Sequence, residues 1–158
     1  KRIDYATQYF LKHLKVDSKN QTILDLASGN GVIAKEISKK LPQSTFHLVD
    51  DFYLAVESAK LNVRGENVHH YFGSNLSNFE EHCFDLIVSN PPFHFEHEIN
   101  IQIPIQLFKE CFRCLKHGGT LQIVANNHLN YTNQLKTIFP RVETVAQNEN
   151  FVVITCEK

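Results

Sequence analysis

This chain contains no methionine, and it opens on Lys1. The expectation from those two facts is that it is not a complete translation product, and that an N-terminal tag or whole domain has been removed. No window approaches the roughly 18 apolar residues that a membrane helix needs, and no signal peptide precedes the first apolar run. A membrane partner is therefore not expected. A basic excess is missing as well: the formal net charge is −1 at pH 7. Affinity for RNA or DNA must then be local, or come from a part of the protein outside this chain. The four cysteines follow no secreted-disulfide spacing, so a reduced cytoplasmic setting is the simpler reading. No internal repeat, low-complexity stretch or linker interrupts the 158 residues. They read as one domain, residues 1–158, with room for a real hydrophobic core.

What is present is alternation of strand-type and helix-type segments, which implies an α/β fold around a mostly parallel sheet. A leading helix is predicted from Ile3 to Leu14, with Phe10, Leu11 and Leu14 at helical spacing. Strands are predicted at Thr22–Leu26, Thr45–Val49, Val68–Phe72, Phe84–Ser89 and Thr120–Ala125. Helices are predicted at Val32–Leu41 and Tyr53–Val63. Pro104 suits the first turn of a long helix whose apolar face is Phe108, Cys111, Phe112 and Leu115, stopped by Gly118-Gly119. A further helix is expected over Leu129–Phe139. Val142–Gln147 and Phe151–Cys156 are separated by Asn148-Glu149-Asn150 alone, too short a link for a crossover helix. They should form an antiparallel hairpin.

The chemistry sits where these strands end. Asp25-Leu26-Ala27-Ser28-Gly29-Asn30-Gly31 joins the first strand to the next helix, and its glycines permit a tight turn and close approach of a ligand. Gly29 to Ala34 also satisfies the dinucleotide pattern G-x-G-x-x-A, so the glycines alone decide little. Asp25 leans away from a pyrophosphate and toward a cationic amino-acid moiety; capping of the helix is the structural alternative. Asp50, 21 residues after Gly29, can accept from both hydroxyls of an unphosphorylated ribose. Gly73-Ser74-Asn75 offers hydrogen bonds to an adenine edge, or is a plain polar loop.

Asn90-Pro91-Pro92-Phe93 closes the strand Phe84–Ser89 abruptly. Proline gives no N–H to a sheet and fixes φ, and the residue before it is held extended. The product is a rigid lip. Asn90 Oδ1 and the Pro91 carbonyl can accept both hydrogens of an exocyclic amine, and Phe93 can stack on the ring that bears it. Alignment of this kind supplies much of the rate of methyl transfer to a weakly basic amine. Cys111, Cys114 and His117 fall at helical spacing, but a zinc site needs four ligands and no fourth is evident, so no metal is expected.

With the glycine loop, the acid after the second strand and Asn90-Pro91-Pro92-Phe93-His94 in order, the chain resembles class I S-adenosylmethionine-dependent methyltransferases. The form of the lip is similar to that of bacterial ribosomal RNA guanine-N2 methyltransferases. Arg113-Cys114-Leu115 followed by Gly119, the run Ile123 to Tyr131, and Asn150-Phe151-Val152-Val153 look like the large-subunit (23S) branch. The resemblance implies a Rossmann-like sheet, mostly parallel with a C-terminal antiparallel hairpin and helices on both faces. It implies S-adenosyl-L-methionine as cofactor, ribosomal RNA as partner, and a monomer whose N-terminal domain aids RNA binding. Asp25, Ala27, Gly29 and Gly31 would line the methionine side of the cofactor, Asp50 its ribose and Ser74 its adenine. Asn90, which would also touch the cofactor, Pro91, Pro92 and Phe93 would hold the guanine. Two departures stand out: Ala27 replaces a glycine of the relatives, and Asp4-Tyr5-Ala6-Thr7-Gln8 lacks the glycine and arginine they carry there. From the residues alone, adenine N6 and a glutamine amide remain open as acceptors. So do a nicotinamide oxidoreductase and a cofactor-free, RNA-binding half of a tandem protein.

Overall fold

The computed structural model describes residues 4–91 and 102–158. The leading helix α1 (Tyr5–His13) starts where Asp4 caps it, the Asp4 carboxylate accepting the Thr7 N–H. Strands β1 (Thr22–Leu26), β2 (Thr45–Asp50), β3 (Val68–Phe72) and β4 (Phe84–Ser89) follow, with α2 (Val32–Lys40) after β1 and α3 (Tyr53–Asn62) after β2. The chain ends with α4 (Gln102–Cys114), β5 (Leu115–Asn126), α5 (Tyr131–Lys136), β6 (Arg141–Gln147) and β7 (Phe151–Glu157). One seven-stranded sheet runs in the order β3-β2-β1-β4-β5-β7-β6. Pairs through β5 are parallel; β7 is antiparallel to both β5 and β6. The expected sheet and its terminal hairpin are both there.

Alternation along each strand divides the core in two. Ile23, Leu48, Leu86, Val88, Val124 and Val153 face α1, α2 and α3, meeting Phe10, Ile37 and Ala59. Leu24, Leu26, Ile87, Ile123 and Ile154 face the opposite way, meeting Phe108 and Cys111 of α4 and Leu135 of α5. Helices therefore cover both faces. Each fully buried Ile, Leu or Phe contributes about 1.5–3 kcal/mol over its exposed state. Cys111 is in the core as its helical spacing predicts, and burial pushes its thiol well up.

Most boundaries fall within a residue or two of expectation, and two regions differ by more. Gly118 and Gly119 do not stop α4, which ends at Cys114; they lie inside β5. Pairing with β4 jumps from Phe84↔Leu115 to Leu86↔Thr120, so β5 must bulge. Gly118 takes φ +81 there, and a Cβ on Gly119 would lie 2.9 Å from the Lys116 carbonyl oxygen. The helix expected over Leu129–Phe139 is shorter and is preceded by a 3-10 turn, Asn127–Leu129. Asn130 separates the two in a left-handed conformation at φ 47, which asparagine tolerates better than most residues.

Between β3 and β4, residues 73–83 form no helix. Arg113 of α4 pins that segment, its guanidinium donating to the Leu76 carbonyl at 2.8 Å and the Phe79 carbonyl at 2.9 Å. Among the described residues no helix is long and apolar enough to cross a membrane.

Candidate active site

Strand register brings the candidate residues to one end of the sheet. Leu26 of β1 pairs with Val49 on one side and Ser89 on the other. The turn after β1, Asp50 and Asn90 therefore leave the sheet side by side. Ser89 fixes the junction: its buried hydroxyl donates to the Leu26 carbonyl at 2.6 Å.

The turn itself is tight. Ala27 has φ 59 and Gly29 φ 56, both left-handed. The Ser28 N–H donates to the Val49 carbonyl at 3.1 Å, and the Gly31 N–H to the Ser28 carbonyl at 2.9 Å. The two glycines do different jobs. A Cβ on Gly29 would meet nothing within 4 Å, so this backbone faces open space. A Cβ on Gly31 would lie 2.7 Å from Val63 Cγ2 and 3.3 Å from Leu48 Cδ2, so Gly31 lets α2 pack on its neighbours. Asp50 braces the turn, Oδ2 accepting the Gly29 N–H at 2.8 Å and Oδ1 the Phe52 N–H at 2.9 Å. Each oxygen keeps a second lone pair for a diol.

Asp25 lies beneath this turn and is almost fully buried. Oδ2 accepts the Ala34 N–H at 3.2 Å, so the carboxylate does cap α2 from a distance. Oδ1 is buried with no partner. Burial pushes the carboxyl up to about 7; the Ala34 bond opposes this and the nearby charge of Asp50 adds to it. A ligand that brings a cationic group to Oδ1 would remove the cost of that lone oxygen. The turn thus fits a ligand carrying both an ammonium group and a ribose diol.

One strand over, Asn90 and Pro91 line a cavity of about 400 Å³ shared with Tyr5, Asn126, Tyr131 and Phe151. Its walls mix the rings of Tyr5, Tyr131 and Phe151 with polar and aliphatic side chains, and burial pushes the Tyr131 hydroxyl up to about 12, so it stays neutral. Asn90 Nδ2 donates to Thr7 Oγ1 at 3.2 Å. Thr7 in turn donates to Asp4, from its N–H at 2.9 Å and its hydroxyl at 3.1 Å. Pro92, Phe93 and His94 lie outside the described residues.

Ser74 stands apart from this group. It lines a larger cavity of about 570 Å³ with His47, Tyr71, Phe79 and Phe84, although the N–H of its neighbour Gly73 donates to the Asp50 carbonyl at 2.9 Å. His47 Nδ1 lies 2.8 Å from the Tyr71 hydroxyl. Burial, helped by His69, pushes the His47 imidazole down to about 4, so it is neutral at pH 7.

The structure therefore gathers Asp25, Ala27, Gly29, Gly31 and Asp50 around one turn and sets Asn90 and Pro91 beside it. Sequence reasoning missed Thr7, and it assigned no part to Asn126, Tyr131 or Phe151. The last three stand in segments that carry the family resemblance, which is the signal that could have found them.

Residues 1–155 match the family described as the methyltransferase small domain. The chain is 38% identical to ribosomal RNA large subunit methyltransferase G of Cronobacter sakazakii, across 99% of this chain and 43% of that protein. It is equally similar, at 38% identity, to the protein of that name from Vibrio vulnificus, over 99% of this chain and 43% of the other. Among solved structures, the T. thermophilus 16S rRNA N2 methyltransferase RsmC, in complex with AdoMet and guanosine, superposes with a TM-score of 0.84 at 23% identity. That match covers 99% of this chain and 44% of the other. The chain thus spans less than half the length of the curated relatives it matches. Its sheet is that of class I methyltransferases, and the chain belongs to the methyltransferase small domain family.

Proposed function

We propose that this chain is the catalytic domain of a ribosomal RNA methyltransferase, and that it moves a methyl group from S-adenosylmethionine to the N2 amine of a guanine in large-subunit (23S) RNA. One observation carries the reading. Asn90 and Pro91, on the strand next to Asp25, line a cavity that also holds the rings of Tyr5, Tyr131 and Phe151, and the buried Oδ1 of Asp25 has no partner. The first feature suits a planar amine; the second suits the ammonium of the methyl donor. The names of the 38% identical relatives, and the guanosine in the structural neighbour, support guanine in ribosomal RNA.

Bound at the β1 turn, S-adenosylmethionine would supply an electrophilic methyl group on a sulfonium sulfur. Asp25 holds the ammonium end, Gly29 offers a bare backbone, and Asp50 accepts from the ribose. On the other side Asn90 Oδ1 and the Pro91 carbonyl accept the two hydrogens of the guanine amine. That holds the amine so that its lone pair, perpendicular to the ring, faces the methyl donor. As the N–C bond forms the S–CH3 bond would break, leaving the thioether S-adenosylhomocysteine, and the surplus proton of the amine would pass to water. The main contribution of these residues is orientation, since a guanine amine is a poor nucleophile and the lip contains no strong base. On this reading Pro92 and Phe93 complete the guanine site and Ser74 borders the adenine. The protein acts in the cytoplasm as a monomer, with a further domain helping to capture RNA, as the greater length of the relatives suggests.

The test is methylation of ribosomal RNA taken from a strain that lacks the gene, followed by nucleoside mass spectrometry. N2-methylguanosine in the large-subunit RNA is expected. N6-methyladenosine, or no methylated nucleoside, would overturn the assignment.

A further inference from the structure

Asn90 is useful to an amine only if its carbonyl oxygen, not its nitrogen, faces the acceptor. An asparagine amide is nearly symmetric in shape, so something must set which way it points. The chain supplies that in three residues. The Asp4 carboxylate can only accept, so the Thr7 hydroxyl proton, 3.1 Å away, is committed to Asp4 Oδ2. The Thr7 backbone N–H on Asp4 Oδ1 holds the carboxylate in place. The Thr7 oxygen is left with lone pairs alone, and these take a hydrogen from Asn90 Nδ2 at 3.2 Å. A flipped amide would set Oδ1 against an oxygen with no proton to give. Thr7 is buried, so water does not substitute.

We propose that Thr7 is a positioning residue for methyl transfer: its hydroxyl, oriented by Asp4, fixes the Asn90 amide with Oδ1 available to the acceptor amine. The proposal rests on the functional reading above for its catalytic consequence, and on the Asp4–Thr7–Asn90 contacts alone for the geometry. Its assigned part is indirect: Thr7 acts through Asn90.

Because asparagine caps a helix as well as aspartate, Asp4→Asn separates polarity from stability. The new amide would donate to Thr7 Oγ1, freeing the hydroxyl proton for Asn90 and turning that amide the wrong way. In the full-length protein, kcat should fall at least tenfold in both Thr7→Val and Asp4→Asn, with the melting temperature of Asp4→Asn and the cofactor Kd of both unchanged. Thr7→Ser, which keeps the hydroxyl, should restore kcat to within about threefold of wild type. The Asn90 side-chain NH2 signals in ¹⁵N spectra should be protected from exchange in wild type and in Thr7→Ser, and lose that protection in Thr7→Val. Wild-type turnover in Thr7→Val or Asp4→Asn would overturn the proposal, as would an unprotected Asn90 amide in the wild type. A wild-type protein that methylates no guanine overturns the functional reading instead, and the amide spectra still decide the Thr7 contact.

Discussion

Asp25 and Ala34 are joined across the first strand–helix turn by one hydrogen bond of 3.2 Å, which satisfies Oδ2 and leaves Oδ1 buried and alone. The carboxyl's raised value, about 7 against 3.8, gives a definite pH signature. Below about pH 4 folded and unfolded chains both carry the proton, so burial costs nothing extra. As pH rises toward 7 the unfolded chain ionises first, and stability falls. Above that, the cost is full, on the order of 4 kcal/mol. Urea denaturation at pH 5, 6 and 8 should show the decline, and Asp25→Asn should flatten it.

The same group predicts how cofactor affinity depends on pH. A cationic partner needs the ionised carboxylate, so affinity should drop about tenfold per pH unit below 7 and level off above it. Calorimetry with S-adenosylmethionine across pH 5.5–8.5 checks this. A flat profile would remove Asp25 from the ammonium site.

Ala27 holds φ 59, a conformation that costs an L-residue about 1–2 kcal/mol and glycine almost nothing. Ala27→Gly should raise stability by about 0.5–1 kcal/mol once the greater freedom of glycine in the unfolded chain is counted. The corresponding rise in melting temperature is about 1–4 °C, within reach of calorimetry.

Asn90→Ala and Asp50→Ala should fail in opposite ways. The first removes the proposed acceptor for the amine hydrogens and should abolish transfer while leaving cofactor Kd nearly unchanged. The second frees the Gly29 and Phe52 N–H groups and removes the proposed ribose acceptor, and should weaken cofactor binding by about 1–3 kcal/mol. Parallel titration and transfer assays distinguish them.

Arg113 grips the Leu76 and Phe79 carbonyls with two separate nitrogens, a geometry that lysine cannot copy. Arg113→Lys should cost about 1–3 kcal/mol in chemical denaturation. Limited proteolysis should then cut within residues 73–83 sooner than in the wild type.

Much of the fold is legible because apolar runs here end on strong punctuation. Asn90-Pro91 stops β4, Asp50 stops β2, and Asn148-Glu149-Asn150 forces the hairpin. The end of α4 is not legible. Gly118-Gly119 suits a helix stop and a strand bulge equally well, and the choice is made by pairing with Phe84 and Leu86, distant in sequence. The site divides in the same way. Asp25, Gly29 and Asp50 announce themselves through residue type and spacing at strand ends. Thr7 does not, because its bond to Asn90 spans 83 residues and leaves no local pattern. Nor do the separate roles of Gly29 and Gly31, since only Val63 and Leu48 reveal that one is a packing glycine.

The order β5-β7-β6 places a late segment between two earlier ones. Among the described residues β6 has no sheet neighbour except β7, so when β6 is synthesised it has nothing to zip onto. It must wait, as an unpaired and partly apolar ribbon, until Phe151–Glu157 emerges and inserts against β5. A nonsense codon at Phe151 would therefore not trim an edge. It would remove the strand that joins β6 to β5 and set β6 adrift, so that a small loss of length costs the sheet two strands.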